Sequence, residues 1–280
     1  MSATPPVVTS AANPRFKRIR SLIQSSRTRR LEAASVLEGI HLVDAWLASR
    51  PVGTRQPLLE LALAHRALAS AEIGALLERA GLQPLVIQDR LFDSLGTMPS
   101  PVPVLALVTT PQPELPPRID HDTVVLDRIQ DPGNVGAILR STAAAGIGRV
   151  VTTPQTAWCW SPKVLRAAMG GHFQLSIHES HPWSRLAPVL EIPVAGAMAH
   201  DGVSLYDSDL CAPCVWVFGN EGEGLAIEIE HQLSWRLTIP QSRRVESLNV
   251  AAAAAVCLFE QRRQRLVRAR TSDATAAPAG

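Results

Sequence analysis

Short apolar runs alternate with amphipathic segments along the whole chain. In the first third, "LEAASVLEGIHLVDAWLASR" (31–50) and "AEIGALLERAGL" (71–82) have apolar residues at helical spacing, whereas "PLVIQ" (84–88) and "VPVLALVTT" (102–110) look like strands. After residue 121, longer strand-like runs alternate with helical stretches and end in the alanine-rich helix "VAAAAAVCLF". This alternation predicts an α/β protein whose mostly parallel sheet is covered on both faces.

A proline-rich stretch divides the pattern. "TTPQPELPPRIDH" (109–121) contains four prolines, which remove backbone donors and block helix continuation. We therefore expect a small α/β domain over 1–110, a linker over 111–121 and a second domain over 122–270. The polar tail 271–280 is expected to be disordered.

Composition narrows the class of protein. The chain has 280 residues, 46% of them hydrophobic and 19% charged, which is typical of a globular protein. Its longest apolar run is too short to cross a bilayer, and the start lacks the pattern of a secretory signal. Four cysteines do not form a disulfide scaffold, so we expect a reducing, cytoplasmic location and no membrane association.

Charge placement says more than the net charge of +2. The stretch 15–30 has seven basic residues and no acidic one, and a second group of arginines follows the alanine-rich run at 262, 263, 265, 268 and 270. Either group alone is as well explained by a solvated helix face. Two such groups on a near-neutral chain favour a polyanionic partner, of which nucleic acid is the commonest.

Three segments that follow predicted strands carry unusual composition. In "DRIQDPGNVGAILRSTAAAGIG" (127–148), Gly133, Gly136 and Arg140 share one helical stripe, which suits a bulky anionic ligand, although a surface arginine is the plainer interpretation. "VWVFGNEGEGL" (215–225) leads a strand into three glycines and two glutamates, which favours a cationic small ligand. "TIPQSRRVESLNVAAAAAV" (238–256) places polar residues at the start of a buried helix.

Several other chemistries fit poorly. The glycine spacing is neither the dinucleotide fingerprint nor a phosphate-binding P-loop, which argues against a nucleotide-dependent oxidoreductase. Cys211 and Cys214 have Cys-x-x-Cys spacing but no second pair, and His172, His178 and His181 lack a metal-ligand pattern, so no metal is expected. Ser247 lacks the G-x-S-x-G context of a hydrolase nucleophile.

Taken together, the three segments resemble, in order and spacing, the motifs of the SpoU (TrmH) family of RNA ribose 2′-O-methyltransferases. "SPKVLRAAMGGHFQLSI" (161–177) is similar to the stretch between that family's first and second motifs, and the N-terminal region resembles its L30e-like substrate-binding domain. The resemblance implies a trefoil-knotted (SPOUT-type) catalytic domain that forms a homodimer through the knot. It also implies S-adenosyl-L-methionine as cofactor and RNA as partner, most often 23S ribosomal RNA.

The resemblance assigns roles residue by residue. The residues implied around the reacting ribose are Asn134, Arg140, Glu221, Ser247 and Asn249. Those implied at the cofactor are Gly219, Ile239 and Leu248. The basic N-terminal residues expected to contact RNA are Arg15, Lys17, Arg18, Arg20, Arg27, Arg29 and Arg30. We expect Arg140 to act as a clamp on phosphate and hydroxyl, because a guanidinium is a poor base.

The chain departs from the family pattern at two positions. Gln241 and Arg243 stand where the family usually has methionine and glycine, and arginine adopts positive φ less easily than glycine. We therefore expect a reshaped loop and weaker cofactor binding. Two alternatives stay open: an RNA-binding protein that has weak or no catalysis, and a methyltransferase acting on transfer RNA.

Overall fold

The computed structural model describes residues 6–49, 58–96, 103–242 and 247–276, and it divides into two compact units. The first unit consists of Met1–Pro111 together with Trp160–Phe173, and the second consists of Gln112–Cys159 together with Gln174–Gly280. The two units are described separately below.

The first unit is a mixed five-stranded sheet with helices. The sheet has the order β1-β4-β3-β5-β2, in which β1, β4 and β3 are parallel and β5 is antiparallel to both β3 and β2. Its strands are β1 (Val7–Val8), β2 (Ala34–Glu38), β3 (Leu58–Ala64), β4 (Leu85–Ile87) and β5 (Val104–Thr109). Its helices are α1 (Pro14–Gln24), α2 (Ser26–Leu31), α3 (Ile40–Ala48), α4 (Ala71–Ala80) and α5 (Asp89–Asp93), with α7 (Pro162–Ala168) from the later segment.

The second unit contains a fully parallel sheet with the order β10-β12-β9-β11-β6-β7-β8. This confirms the predicted α/β class. The strands are β6 (Thr123–Leu126), β7 (Arg149–Thr152), β8 (Ser176–His178), β9 (Val194–Met198), β10 (Val203–Ser204), β11 (Val215–Phe218) and β12 (Trp235–Thr238). The helices are α6 (Pro132–Ala145), α8 (Trp183–Leu186), α9 (Ile227–Glu230) and α10 (Val250–Ala276).

Capping residues fix where the important helices begin. Asp131 caps α6 by accepting a hydrogen bond from Asn134 N at 2.8 Å, and Pro132 occupies the first turn, where its missing N–H is harmless. Ser161 caps α7 in the same way. Gly146 ends α6 in the left-handed conformation, with φ +86°. These local signals place α6 directly after β6, as the sequence predicts.

One sequence prediction fails in the first unit. The stretch 31–50 was expected to be helical throughout, but residues 34–38 form β2 between the end of α2 at Leu31 and α3, which spans Ile40–Ala48. Every residue of β2 is buried, so the strand shows no alternation that could separate it from an apolar helix. Gly39, at φ +93°, makes the turn between the strand and α3.

The segment Trp160–Phe173 also departs from the predicted domain order. It was expected within the second domain, but it packs in the first unit. Arg166 Nη1 donates to Glu38 Oε2 at 2.8 Å, and Trp46 makes edge-to-face contacts with Trp160 and Phe173, at centroid distances of 6.4 and 5.3 Å. An N-terminal unit that ends at residue 110 is therefore incomplete.

One residue of the predicted linker, Ile119, packs in the core of the second unit. Ile119 is fully buried in the core of the second unit, its N–H donates to Val189 O at 2.7 Å, and its carbonyl accepts from Glu191 N at 2.9 Å. Apolar burial and backbone pairing thus fix the end of the predicted linker to the second unit.

The C-terminal prediction is wrong as well. Residues 271–276 continue α10, although a disordered tail was expected from 271; residues 277–280 lie outside the described part. Several arginines near the end of the helix have structural partners. Arg265 pairs with Asp122 and donates to Ala212 O at 2.8 Å, and Arg262 donates to Ala145 O at 3.0 Å. These two side chains tie α10 to its own unit instead of facing a polyanion.

Candidate active site

The polar segments singled out in the sequence converge at the carboxyl ends of three neighbouring strands. The chain leaves β9, β11 and β12 at the same edge of the parallel sheet, where ligands bind in open α/β folds. These strand ends and the start of α10 enclose a cavity of about 440 Å³. The cavity is lined by residues 197–200, 218–222, 224, 225, 239, 241, 247–250 and 253.

A tight turn after β11 forms one wall of the cavity, and residues 219–224 are here called the glycine loop. Asn220 N donates to Gly224 O at 2.9 Å, and Gly224 N donates back to Asn220 O at 3.0 Å. A Cβ on Gly219 would lie 2.4 Å from the carbonyl carbon of Gly224, so only glycine permits this closure. Gly224 itself has φ +70°.

Two residues at the end of β6 hold the glycine loop, and the sequence did not reveal their role. Asp127 is buried and accepts from Thr153 Oγ1 at 2.8 Å and from Ala226 N at 2.9 Å. Arg128 pairs with Glu223 and donates to Gly224 O at 3.1 Å, while its own carbonyl accepts from Asn220 Nδ2 at 2.9 Å. The only signal in the sequence was an Asp-Arg pair at a strand end.

Three predicted site residues form one hydrogen-bonded group, here called the polar cluster. Asn134 Nδ2 donates to Glu221 Oε1 at 2.9 Å, and Asn249 Nδ2 donates to Asn134 Oδ1 at 2.9 Å. The polar cluster therefore joins α6, the glycine loop and the start of α10. Because the amides of Asn134 and Asn249 are each hydrogen-bonded to neighbouring groups, their orientations are fixed.

Glu221 receives hydrogen bonds from the backbone as well as from Asn134. The N–H groups of Asp131 and Gln130 approach its carboxylate at 3.3 and 3.4 Å. Burial alone would raise the pKa of Glu221, but these donors, led by Asn134, outweigh it and lower the pKa from the ordinary carboxyl value. The side chain is therefore an anion at neutral pH.

The polar start of the alanine-rich helix has two structural purposes. Asn249 Oδ1 accepts from Ala251 N at 2.9 Å and from Ala252 N at 3.3 Å, which caps α10. Its Nδ2 is left to reach Asn134, and Ser247 and Leu248 line the cavity beside it. One residue thus serves the helix and the site together.

No hydrogen bond among the described residues joins Arg140 to the polar cluster. Arg140 is exposed on α6, and no carboxylate pairs with it among the residues that the structure describes. Neither it nor Gly133 or Gly136 belongs to the described lining of the cavity, and Gly136 is buried. The glycine-floored groove and the catalytic role of Arg140 both stay predictions.

The three residues predicted at the cofactor lie together. Gly219, Ile239 and Leu248 come from different segments, and all line the cavity. Gln241 lines it too, whereas Arg243 lies outside the described residues. Apolar side chains beside amides and a carboxylate suit a small molecule with a flat ring and positive charge, so the residues present fit S-adenosylmethionine.

The cysteine and histidine alternatives receive no support. Cys211 and Cys214 are free thiols, and burial, followed by the nearby Asp122, raises the pKa of Cys214 to about 12. His172 is buried against Trp160. In the described part of the chain, no group of metal-ligating side chains could hold an ion.

The basic N-terminal residues fall into two groups. Arg29 is only 7% exposed and its guanidinium donates to Ile23 O at 2.9 Å, so burial and hydrogen bonding assign it to the fold and contradict its predicted contact with RNA. Arg15 pairs with Glu60 and Arg18 with Glu32. Lys17, Arg20, Arg27 and Arg30 are exposed on α1 and α2.

The chain is similar in sequence to known proteins. Residues 122–259 match the model of the SpoU rRNA Methylase family. A tRNA/rRNA methyltransferase of Synechocystis sp. is 30% identical over 271 residues, which cover 92% of this chain and 94% of that protein. The chain belongs to the SpoU methylase family.

Other members of the SpoU family extend the comparison over nearly the whole chain. The 23S rRNA (guanosine(2553)-2′-O)-methyltransferase RlmP of Bacillus subtilis is 25% identical, covering 91% of this chain and 98% of that protein. The crystal structure of an AdoMet-bound rRNA methyltransferase from Sinorhizobium meliloti matches with a TM-score of 0.78 and 27% identity. It covers 92% of this chain and 97% of that one. The similarity thus includes the first unit as well as the second.

No helix in the described ranges is long and apolar enough to cross a membrane.

Proposed function

We propose that this SpoU-family protein is an S-adenosylmethionine-dependent methyltransferase that acts on a ribose 2′-hydroxyl of RNA, most directly 23S ribosomal RNA. The observation that carries the proposal is the polar cluster. Its residues come from three separate segments, and two of them, Glu221 and Asn249, line a cavity at the carboxyl ends of the strands. RlmP of Bacillus subtilis, named as a 23S rRNA 2′-O-methyltransferase, supports the choice of substrate.

The cofactor supplies an electrophilic methyl group on a positively charged sulfur. The protein must hold the ribose oxygen in line with that methyl group, and such positioning supplies much of the rate. Ile239 and Leu248 offer apolar surface to the cofactor, and Gly219 lets the glycine loop close beside it. Asn134 and Asn249, fixed by their mutual hydrogen bond, offer an oriented polar edge to the ribose.

The charged side chains suit a cationic cofactor and an anionic substrate. Glu221 is held by the polar cluster and stays ionised, so its negative charge faces the cationic cofactor side of the site. Arg140 carries a permanent positive charge and has no described carboxylate partner, so it is available to clamp a phosphate and the reacting hydroxyl.

The first unit supplies the proposed RNA surface. Lys17 and Arg20 lie three residues apart on α1, and Arg27 lies in the first turn of α2. Their side chains are exposed, and they form no ion pair within the described residues. Basic residues on one surface attract a phosphate backbone without reading its sequence.

A homodimer completes the proposal. The outer side of α10 exposes Phe259, Leu266 and Val267, at 45%, 48% and 48% of their surfaces. Apolar side chains at this spacing on one helix are typical of a protein interface. Sedimentation should give twice the mass of the chain, and a Phe259→Glu, Leu266→Glu variant should sediment as a monomer.

The trefoil-knotted topology and a cytoplasmic location, both expected from the sequence, stay predictions.

The direct test uses ribosomal RNA from cells that lack the gene. The protein is incubated with this RNA and with S-adenosylmethionine labelled on its methyl group, and the digested nucleosides are analysed by mass spectrometry. The expected product is one nucleoside methylated on the 2′-oxygen. Label on a base would contradict the proposed chemistry, and transfer to transfer RNA alone would favour the transfer RNA alternative.

A protein that binds RNA without catalysis is the second candidate, motivated by Gln241 and Arg243. It would bind the same RNA but transfer no label. Calorimetric titration with S-adenosylmethionine separates the two, because loss of catalysis through a reshaped loop would also abolish cofactor binding.

A further inference from the structure

Gln241 lies three residues beyond the end of β12 and lines the cavity. Its side-chain oxygen, Oε1, is buried, and no hydrogen-bond partner reaches it within the described ranges. A buried acceptor without a donor is unfavourable, and few such groups persist in native proteins without a reason. The position of this atom in a ligand cavity indicates that a ligand supplies the donor.

The surroundings of Gln241 limit which donor this is. The nearby lining residues Ile239 and Leu248 are apolar, whereas the carboxylate of Glu221 is on the glycine loop. S-adenosylmethionine carries three kinds of donor: a charged ammonium, two ribose hydroxyls and the 6-amino group of adenine. Only the 6-amino group is a neutral donor attached to a flat ring whose faces suit aliphatic side chains.

A primary amide is also the side chain that matches an adenine edge. Glutamine accepts from the 6-amino group with its oxygen and donates to a neighbouring ring nitrogen with its NH₂ group. On the edge that carries N7, a purine with oxygen at position 6 presents two acceptors, O6 and N7, so neither orientation of the amide can pair with both. Methionine at this position could make neither hydrogen bond.

We propose that Gln241 recognises the 6-amino group of adenine and is a specificity-determining residue of the cofactor site. This inference rests on the proposed function, since it assumes S-adenosylmethionine in the cavity. It reverses the expectation drawn from the sequence, in which Gln241 weakens cofactor binding. Compared with the methionine that the family usually has at this position, Gln241 adds a pair of directed hydrogen bonds.

The test measures binding rather than activity. Wild-type protein and the Gln241→Met variant, which keeps the side-chain length, are titrated calorimetrically with S-adenosylhomocysteine and with S-inosylhomocysteine, its 6-oxo counterpart. Gln112→Met changes an exposed glutamine outside the cavity and serves as the matched control. Circular dichroism checks that each variant is folded.

The wild type and the control should bind S-adenosylhomocysteine at least about tenfold more tightly than the inosyl compound, as expected for a bidentate amide–adenine pair. Gln241→Met should lose about tenfold in affinity for S-adenosylhomocysteine, and its preference should fall to within about threefold. Gln241→Glu keeps the acceptor and should retain the preference.

Two contrary results have different meanings. If the wild type binds S-adenosylhomocysteine but Gln241→Met binds it equally well with the same preference, the inference is overturned while the proposed function stands. If the wild type binds neither compound, the proposed function fails, and the inference fails with it.

Discussion

Asn134 is the residue on which the candidate site depends most. Its amide oxygen accepts from Asn249 and its amide nitrogen donates to Glu221. One side chain on α6 therefore connects two other motifs, whose residues Glu221 and Asn249 are 28 positions apart in sequence. Its backbone N–H is also used, in the cap of α6. Two amides bonded in this way keep one orientation without ligand, which reduces the ordering needed when RNA binds.

The lowered pKa of Glu221 predicts how the stability of the folded protein changes with pH. Its folded-state pKa is lowered, so it stabilises the folded protein above the unfolded-state value of about 4.3 and loses that contribution as pH falls through the lowered pKa. Because the side chain is exposed, solvent screening keeps the effect below about 1 kcal/mol. Urea unfolding at about pH 5.5 and about pH 3.5 should show a smaller pH effect for Glu221→Gln than for wild type. Equal pH effects would argue against the assigned hydrogen bonds.

Arg140 is predicted to act on substrate rather than on stability. Its side chain is exposed and no described carboxylate pairs with it, so Arg140→Ala should fold normally and keep cofactor affinity within a few-fold. Single-turnover methyl transfer should fall by about a hundredfold or more, the scale expected when a positioning group is lost.

Arg140→Lys should restore only part of this rate, because an ammonium cannot reproduce the planar fork of a guanidinium. Near-normal transfer by folded Arg140→Ala protein would remove this residue from the mechanism.

Among the elements of the fold, the glycine loop depends on the turn that ends β6. Arg128 has φ +54° and ties its guanidinium to the loop at Glu223 and Gly224. Arg128→Gly removes the side chain but suits the positive φ, whereas Arg128→Ala removes the side chain and keeps the strain. Both variants should bind S-adenosylhomocysteine about three- to tenfold more weakly, and Arg128→Ala should be about 1 kcal/mol less stable than Arg128→Gly.

Hydrogen exchange provides the local measurement for this pair. The amide of Gly224, bonded to Asn220 O in the wild type, should exchange faster in both variants. Wild-type exchange in Arg128→Gly would show that the loop closes without Arg128.

Elements with clear local signals could be predicted from sequence, and those determined by tertiary packing could not. The strands of the parallel sheet and the start of α6 follow from apolar runs and caps. β2 was missed because burial on both faces removes alternation, and the packing of Ile119 was missed because its burial is a long-range effect.

The same distinction holds within the site. Resemblance to the family pointed to Gly219, Ile239 and Leu248, which share the cavity, and to the three members of the polar cluster. It did not point to Asp127 and Arg128, because their hydrogen bonds join positions almost 100 residues apart. It suggested RNA contact for Arg29, whose burial becomes visible only when α1 and α2 pack together.

At the scale of the whole molecule, the first unit includes the later segment Trp160–Phe173, and this determines how RNA binding can be tested. Deleting residues 1–110 would uncover Trp160, Leu165 and Phe173, which pack within that unit, so truncation would confuse lost folding with lost binding. Substituting exposed residues avoids this difficulty.

A Lys17→Ala, Arg20→Ala, Arg27→Ala variant should keep wild-type stability and cofactor affinity. Its RNA affinity should fall, and the slope of log affinity against log salt should become less steep by about one for each lost phosphate contact. Arg15→Ala, Arg18→Ala serves as the matched control, because both residues are already paired with carboxylates. An unchanged slope in the triple variant would exclude this surface from RNA binding.

The central claim is that the polar cluster, together with the adjoining cavity, is the methyl-transfer centre. Single-turnover transfer to RNA by Asn134→Ala, measured beside calorimetric binding of S-adenosylhomocysteine, tests it most directly. The account predicts transfer about a hundredfold slower, with cofactor affinity within about threefold of wild type, because Asn134 positions the ribose and does not line the cavity. Transfer at the wild-type rate by the folded variant would contradict it.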